Sequence, residues 1–297
     1  MLLLAFLFLL AFLVLLSNTG EPESVSRLQS PATGSQPTVP LPGGDLEEEL
    51  SEMALVYPGV YGITVFDSRS GEVAAVNAGR AFDAASLAKL PVLLTLYKEA
   101  ARGRIDLDEE ISILPSDRTP EGSGPLYDYP VGHEMTLRDC ARLLIKDSDN
   151  TAWIMLERRL GTRAVHAELD ALGIDAAGYD TRSTTPEEVM LMLRAIADPG
   201  YTNPSLSSEM LDTMTGTSFE GRIPESLPES VRVAHKIGNF QDTYSDAGVV
   251  FERGASEPDD GYYIVIMSQG ASQAAAKEAM REMSLLTYET LRPGSRQ

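Results

Sequence analysis

Strand-like segments lie near both ends of this 297-residue chain, and a long stretch of helical pattern separates them. The segment VYGITVFDSRSGEVAAVNA reads as two strands of a β-hairpin that turns at Ser68–Gly71. Three further strands are predicted after residue 230, in VRVAHKIG, YSDAGVVFE and YYIVIMSQG. Strands from both ends favour one antiparallel sheet, with the helical stretch as an insertion between them.

Apolar residues recur at helical spacing between these strands. The first helix after the hairpin is expected at 86–103, where Ser86 can cap the start, and DLEEELSEMALVY before the hairpin also has helical character. Further helices are predicted at 137–146, 150–160, 163–172 and 185–197, and a last one from Ser272 to about Leu291. Helices and an antiparallel sheet in this order predict an α+β fold, an α/β/α sandwich with an inserted all-helical domain.

Three regions follow one another along the chain. Residues 1–16 are an apolar run whose length suits a signal peptide or a short membrane anchor better than a full membrane span. Residues 17–44 contain five prolines among Ser, Thr and Gly, which predicts a disordered tether. The folded domain is expected at 45–292. Its sheet part is expected at about 45–85 and 228–292, and its helical part at about 104–216.

The charge balance argues against two classes of partner. The formal net charge is −20, which disfavours binding to nucleic acid and to anionic lipid. The single cysteine, Cys140, excludes an intramolecular disulfide, and its amphipathic surroundings predict that it packs as a small apolar side chain. The three histidines are scattered and no C-x-x-C or H-E-x-x-H pattern occurs, so neither a metal site nor a cofactor is expected.

A lysine stands inside the apolar segment AASLAKLPVLLTLYKEAA, which runs from Ala84 to Ala101. Helical spacing places Lys89 on the same face as Ser86, three residues earlier. A capping serine beside a lysine that extends to solvent would be an ordinary structural arrangement. The functional alternative is a buried lysine with a lowered pKa, which can serve as the base that a serine nucleophile needs.

Two other polar motifs follow this pair. The tripeptide S-D-N at 148–150 lies between two predicted helices, where turn and cap residues are common. The sequence HKIGN at 235–239 ends a predicted strand, where a lysine at a sheet edge before a turn would also be ordinary. Each motif alone is therefore a weak indication of function.

Together and in this order, the motifs resemble those of the serine β-lactamase and penicillin-binding protein superfamily, whose signature is S-x-x-K, S-D-N and K-T-G. The spacings of 62 residues from Ser86 to Ser148 and 88 from Ser148 to Lys236 are similar to those of class A β-lactamases. The resemblance covers roughly residues 45–292. It implies the β-lactamase/transpeptidase-like fold, an antiparallel sheet flanked by helices plus a helical domain.

The resemblance also implies roles for individual residues. Ser86 would attack a carbonyl carbon, Lys89 would accept its proton, and Ser148 would relay a proton to the departing nitrogen. The backbone N–H groups of Ser86 and Asn239 would form the oxyanion hole. The residues expected to bind the substrate are Asn150, Lys236, Ile237, Gly238 and Asn239.

The chain departs from the family pattern at two places. Ile237 stands where the family has a threonine, whose hydroxyl helps to hold a substrate carboxylate. Residues 173–188 lack the E-x-x-L-N motif that supplies the deacylating glutamate of class A β-lactamases. The carboxylates in this region have ordinary interpretations as solvated loop residues or first-turn helix residues: Asp175, Asp180, Glu187 and Glu188.

These observations predict a class A β-lactamase-like serine hydrolase that acts on β-lactams or related amide or ester bonds and deacylates slowly. Two alternatives stay open: a penicillin-binding-type D,D-peptidase or acyl transferase, and a non-catalytic binding domain of the same fold. The expected partner is a small acyl substrate, a β-lactam or a peptidoglycan-like peptide. The protein is expected to be exported, secreted or tethered, and its N-terminal segment could contact the membrane.

Overall fold

The structure, a computed structural model, describes residues 44–119, 123–252 and 260–292. The predicted export segment at 1–16 and the predicted tether at 17–44 lie outside these residues, except for Gly44, which begins the first helix. Within the described part of the chain, no helix is both long enough and apolar enough to cross a membrane.

Helices and strands follow one another much as the hydrophobic pattern predicts. The α-helices of the described residues are α1 (Gly44–Val56), α2 (Leu90–Ala101), α3 (Leu137–Lys146), α4 (Asn150–Leu160), α5 (Thr162–Ala171), α6 (Ala176–Thr181), α7 (Pro186–Ala197), α8 (Pro204–Thr213) and α9 (Gln273–Leu291). The β-strands are β1 (Val60–Asp67), β2 (Val73–Val76), β3 (Phe82–Asp83), β4 (Glu110–Ser112), β5 (Glu134–Thr136), β6 (Ser183–Thr184), β7 (Val231–Phe240), β8 (Thr243–Glu252) and β9 (Tyr262–Gln269). A 3₁₀ helix, Ala85–Lys89, directly precedes α2.

The main sheet has five strands in the order β2-β1-β9-β8-β7, and each neighbouring pair is antiparallel. β1 and β2 form the predicted hairpin, and β7, β8 and β9 are the strands predicted near the C-terminal end. The prediction of an α+β fold, with an antiparallel sheet contributed by both ends of the chain and flanked by helices, is therefore confirmed.

Helices cover both faces of this sheet. Leu50 of α1, Met283 of α9 and Ile264 of β9 belong to one hydrophobic core. Leu193 of α7 and Val265 of β9 belong to the other. Because successive side chains of a strand point to opposite faces, β9 needs an almost continuous apolar sequence to fill both cores.

α2 is the central helix of the helical part. It contacts α4, α5, α7 and α8, and every residue from Leu90 to Tyr97 is buried. Each leucine-sized side chain buried in this way contributes about 1.5–3 kcal/mol relative to an exposed one. The segment that carries Ser86 and Lys89 is thus continuous with a helix whose first eight residues are all buried.

The structure corrects the prediction of a single helix capped by Ser86. The segment forms a 3₁₀ helix followed by α2, and neither has a hydrogen bond from a capping side chain. Ser86 Oγ instead accepts a hydrogen bond from Lys89 Nζ at 3.1 Å. A capping pattern could not reveal this, because the competing partner is buried there by tertiary packing.

Candidate active site

The 3₁₀ helix brings a serine and a lysine into contact. Lys89 Nζ and Ser86 Oγ are 3.1 Å apart, which is hydrogen-bond distance. The entry to this helix is strained, because Ala85 has a φ of 45°, a left-handed conformation that costs about 1–3 kcal/mol. Asp83 Oδ1 holds the turn by accepting a hydrogen bond from Ala85 N–H at 2.7 Å. Strain of this kind beside a partly buried serine is typical of functional sites.

Lys89 lies in a buried polar setting. Its side chain is 0% exposed. Nζ lies 2.6 Å from Asn150 Oδ1, 2.6 Å from the Ser148 carbonyl oxygen and 3.1 Å from Ser148 Oγ. The centroid of the Trp153 ring is 5.3 Å away. These acceptors replace water around the amine, so the alternative of a lysine that extends its charge to solvent does not apply.

The environment of Lys89 prepares it to accept a proton. Burial lowers the pKa of Lys89 from its ordinary value of 10.5 to about 7. The Asp149 carboxylate opposes this change, and the Arg182 guanidinium lowers the pKa further. A substantial fraction of the amine is therefore unprotonated near neutral pH, which is the form that can act as a base.

The S-D-N segment is fixed in place by its neighbours. Ser148 has a left-handed φ of 55°, and its carbonyl oxygen accepts a hydrogen bond from Ser123 Oγ at 2.8 Å. Asp149 caps α4 and accepts a second hydrogen bond from Leu126 N–H at 2.8 Å. A Cβ at Gly124 would lie 2.1 Å from Asp149 Oδ2, so only glycine fits there. This contact explains the glycine that follows Ser123.

Lys236 reaches the same serine from β7. Its side chain is 1% exposed, and its Nζ lies 2.9 Å from Ser148 Oγ, the hydroxyl that also contacts Lys89. Burial lowers the pKa of Lys236 well below its ordinary value, and the charge of Lys89 lowers it further. Two amines that share one hydroxyl titrate as a coupled pair, and Ser148 Oγ lies where a proton can pass between them.

Gly238 lets β7 approach the 3₁₀ helix closely. β7 is an edge strand of the main sheet, so one side of its backbone is not covered by another strand. A Cβ at Gly238 would lie 3.2 Å from the Ala84 carbonyl oxygen and 3.3 Å from Ala85 Cβ. Because Gly238 has no side chain, β7 can lie this close to the segment that carries Ser86.

Ile237 and Asn239 also belong to β7, and both line the cavity. The His235 N–H donates to the Met214 carbonyl oxygen, on the side of β7 that faces away from β8. N–H groups two and four residues later point in the same direction along a strand. The N–H of Asn239 therefore faces the uncovered edge, beside the 3₁₀ helix that carries Ser86.

Two basic residues near the site were not identified from the sequence as site residues. Arg222 is buried and donates to the Gly238 carbonyl oxygen at 3.2 Å and to Asn239 Oδ1. Burial lowers the pKa of His235, but the carboxylates of Asp246 and Glu220 outweigh burial and raise it to about 9. His235 directly precedes Lys236 in the HKIGN motif, but its contacts with Asp246 and Glu220 depend on the tertiary structure. No local sequence signal would have indicated the position of Arg222 beside the site.

A cavity of about 620 Å³ joins these groups, a size that suits a small-molecule site. Five residues of the predicted set line it: Ser86, Ser148, Asn150, Ile237 and Asn239. Lys89 and Lys236 contact Ser148 from behind this lining, and Gly238 packs against the 3₁₀ helix. The remaining lining residues are Asp83, Ala85, Ser123, Trp153, Thr181, Arg182, Phe219 and Phe240.

Carboxylates are scarce at this cavity. Asp83 is the only one that lines it among the described residues, and its Oδ1 is bound to Ala85 N–H. The carboxylates at 173–188 have other positions: Asp175 caps α6, Asp180 pairs with His166 at 2.8 Å, Glu188 completes the capping box of α7, and Glu187 is exposed. Within the described residues, no group of three or more His, Cys, Asp or Glu side chains could hold a metal ion.

Comparison with known proteins relates this arrangement to one family. The model of the β-lactamase enzyme family matches residues 45–291. The VEB-1 β-lactamase of Pseudomonas aeruginosa is 25% identical over 199 aligned positions, which cover 60% of this chain and 66% of that enzyme, just under two thirds of its length. Two solved structures share the fold. PBP-A has a TM-score of 0.75 at 24% identity, covering 83% of this chain and 95% of that one. An ancestral class A β-lactamase has a TM-score of 0.74 at 23% identity, covering 82% and 99%.

Proposed function

The chain belongs to the β-lactamase enzyme family, and from this premise we propose that it is a serine hydrolase that opens β-lactam rings or related amide and ester bonds through an acyl-enzyme on Ser86. One observation carries the proposal. Lys89 Nζ lies 3.1 Å from Ser86 Oγ, and burial lowers the pKa of this amine to about 7. A serine nucleophile needs such a base within hydrogen-bond distance.

Acylation then follows from the contacts around Ser86. The unprotonated Lys89 accepts the proton of Ser86 Oγ as this oxygen bonds to the carbonyl carbon. The N–H groups of Ser86 and Asn239 stabilise the negative charge that develops on the carbonyl oxygen. When the bond from carbon to nitrogen breaks, Ser148 Oγ donates a proton to the nitrogen and recovers one from the Lys89–Lys236 pair. Asn150 Oδ1 keeps Lys89 in place at 2.6 Å.

Positive charge beside the cavity favours a substrate that carries a carboxylate. Lys236 and Arg222 both lie at the β7 end of the site, in a chain whose net charge is −20. A buried guanidinium acts through a low dielectric, so the potential of Arg222 is stronger than that of an exposed lysine. The Lys236 amine adds to this potential in its protonated form, whose population burial reduces. We therefore assign the β7 end of the cavity to the carboxylate next to the leaving nitrogen of a β-lactam.

Slow deacylation is the second part of the proposal. A water molecule that clears the acyl group needs a base, and Asp83 is the only described carboxylate that lines the cavity. Its Oδ1 is bound to Ala85 N–H, and the carboxylates of 173–188 hold other partners or are exposed. The same observation favours a second candidate, a D,D-peptidase or acyl transferase in which the Lys89–Ser148–Lys236 relay performs all proton transfers.

Intact-mass spectrometry tests these functions directly. The full-length protein is mixed with benzylpenicillin, a cephalosporin, a depsipeptide ester and a peptide ending in D-alanyl-D-alanine. We expect an adduct with the mass of the intact β-lactam that persists for minutes or longer. Release of D-alanine from the peptide would favour the peptidase. Fast β-lactam hydrolysis without an adduct would contradict slow deacylation, and no reaction with any compound would leave a binding domain as the function.

Ile237→Thr is expected to speed acylation by carboxylate-bearing β-lactams about tenfold. Ile237 lines the cavity although it is only 5% exposed, and it offers no hydrogen-bond donor beside Lys236. A hydroxyl there adds one charge-assisted hydrogen bond of about 1–2 kcal/mol. Turnover is not expected to rise in step, because the substitution supplies no base for deacylation. Stopped-flow acylation rates of the two proteins measure the effect.

A second variant on the same strand controls for packing. Val233→Thr makes a similar change at a buried β7 position that is not part of the cavity lining. Thermal melts of both variants report the cost of a buried hydroxyl. If Ile237→Thr lowers the melting temperature as Val233→Thr does and leaves acylation unchanged, Ile237 has a packing role and not a binding one.

A further inference from the structure

Two basic side chains, Lys89 and Arg182, lie over the aromatic ring of Trp153 at the cavity. Lys89 Nζ is 5.3 Å from the ring centroid, and the Cζ atom of Arg182 is 4.3 Å from it. The indole is 7% exposed, and its Nε1 lies 3.4 Å from the hydroxyl of Tyr179. Arg182 thus rests on a rigid aromatic surface, which limits its motion and lowers the cost of partly desolvating its charge.

The backbone of Arg182 is tied to the segment that carries the nucleophile. Arg182 ends α6 in a left-handed conformation, with a φ of 57°. Its carbonyl oxygen accepts a hydrogen bond from Ala84 N–H at 2.8 Å, two residues before Ser86. On its other side, the same segment packs against Gly238 of β7. Residues 84–86 therefore lie between the Lys236 end of the cavity and Arg182.

Arg182 is exposed, and its guanidinium lies over the Trp153 ring with no described carboxylate paired to it. Arg182 lines the cavity together with Thr181, and it forms no ion pair within the described residues. Arg158 and Arg159 show the contrast, since each pairs with an aspartate or a glutamate at 2.8 and 2.7 Å. In a chain of net charge −20, an unpaired arginine at a cavity is available to a ligand.

We propose that Arg182, stacked on Trp153, forms a second anion subsite that binds a carboxylate on the acyl side chain of the substrate. This inference rests on the proposed function, because Lys236 then takes the carboxylate beside the leaving nitrogen. The acyl substituent lies across Ser86 from that carboxylate and extends to the wall formed by Thr181 and Arg182. The substrate class is therefore an acyl donor with two anionic groups. The planar guanidinium suits a carboxylate, which it can bind through two parallel hydrogen bonds.

Three penicillins that differ only in the substituent on the α-carbon of the acyl side chain test this subsite. Benzylpenicillin has a neutral side chain, carbenicillin carries an α-carboxylate and ampicillin an α-ammonium group. Binding is measured in a Ser86→Ala background, so that no acylation intervenes. Trp153 is the only tryptophan in the chain, so intrinsic fluorescence reports binding at the subsite itself. The readout is the dissociation constant of benzylpenicillin divided by that of carbenicillin. A ratio is used because any effect of Arg182 on the pKa of Lys89 applies to all the ligands.

The variants are Arg182→Gln, Arg182→Glu and a matched control, Arg194→Gln. Arg194 stacks on the Phe66 ring at 4.4 Å but does not line the cavity, so its replacement removes the same charge and the same kind of contact elsewhere. With Arg182 present, we expect carbenicillin to bind about three- to tenfold more tightly than benzylpenicillin. Arg182→Gln brings this ratio close to one, Arg182→Glu shifts the preference to ampicillin, and Arg194→Gln leaves the ratio as it is. The ratio also falls at high ionic strength, because salt screens a charged contact.

The outcomes separate this inference from the proposed function. If penicillins bind and acylate the Ser86 protein but the ratio is near one, or does not change in Arg182→Gln, the subsite is refuted and the hydrolase proposal stands. If none of the three ligands binds and none acylates the Ser86 protein, the proposed function fails and the subsite fails with it.

Discussion

Ser86→Ala is expected to abolish covalent labelling of the protein by benzylpenicillin and by every other acylating probe. Ser86 Oγ lies 3.1 Å from the lowered-pKa amine of Lys89, and Ser86 lines the cavity. Ser148 Oγ lies at the same distance from Lys89, but it also contacts Lys236, and our proposal assigns it the role of proton relay. The measurement is intact-mass spectrometry after incubation with the panel of β-lactams.

An exposed serine provides the control for this variant. Ser208 of α8 is exposed and does not line the cavity, so Ser208→Ala should label like the wild-type protein. Circular dichroism should show that Ser86→Ala keeps the native fold, because a half-buried hydroxyl is a small loss. An adduct on folded Ser86→Ala would show that Ser86 is not the nucleophile.

Lys89→Ala is expected to slow acylation by about 10²–10⁴-fold, the usual contribution of a general base. The protein should stay folded, since removing a buried charge need not destabilise a protein, and Lys89→Met tests the same loss with most of the volume kept. A matched control is Lys98→Met in α2, the helix that directly follows the 3₁₀ helix of Lys89. Lys98 donates to the Tyr201 carbonyl oxygen away from the cavity, so its removal should not affect acylation.

The pH dependence of acylation gives a second measurement on Lys89. The unprotonated amine is the reactive form, and burial lowers its pKa to about 7. The wild-type acylation rate should therefore fall about tenfold per pH unit below that value and level off above it. The Lys89 variants should lose this limb of the profile. Fast acylation by Lys89→Ala with an unchanged pH profile would show that another group is the base.

Stability should follow the same titration with a defined sign. The pKa of Lys89 is lower in the folded protein than in the unfolded chain, which keeps the ordinary value of 10.5. Between about 7 and 10.5 the unfolded chain therefore binds more protons, and the free energy of unfolding rises with pH. Lys89→Met should flatten this part of the curve, measured by denaturant titration at several pH values.

Much of the fold follows from local patterns in the sequence. The continuous apolar run of β9 predicts a strand buried on both faces, and that is its place in the middle of the sheet. The capping box of Thr185 and Glu188 begins α7 at Pro186, within one residue of the helix predicted at 185–197. These elements are predictable because backbone geometry and hydrophobic periodicity act over a few residues.

Local patterns fail where a side chain meets a partner from a distant segment. Ser86 carries the composition of a helix cap, yet its hydroxyl binds Lys89, which packing has buried. Arg222 shows no periodic signal, and the turn that precedes β7 brings it beneath Asn239. No pattern in the sequence connects Arg182 with Trp153, which is 29 residues earlier, because their contact depends on where the fold places the end of α6.

The sequence by itself determined the elements, their order and the three motifs that mark the family. Only the tertiary structure decided the chemistry of the site. The motifs stand 62 and 88 residues apart, and folding brings Lys89 and Lys236 to 3.1 and 2.9 Å from one hydroxyl of Ser148. Removal of water from these amines lowers both pKa values. Desolvation depends on every segment that packs around the amine, so a pKa of this kind is a property of the folded protein and not of any motif.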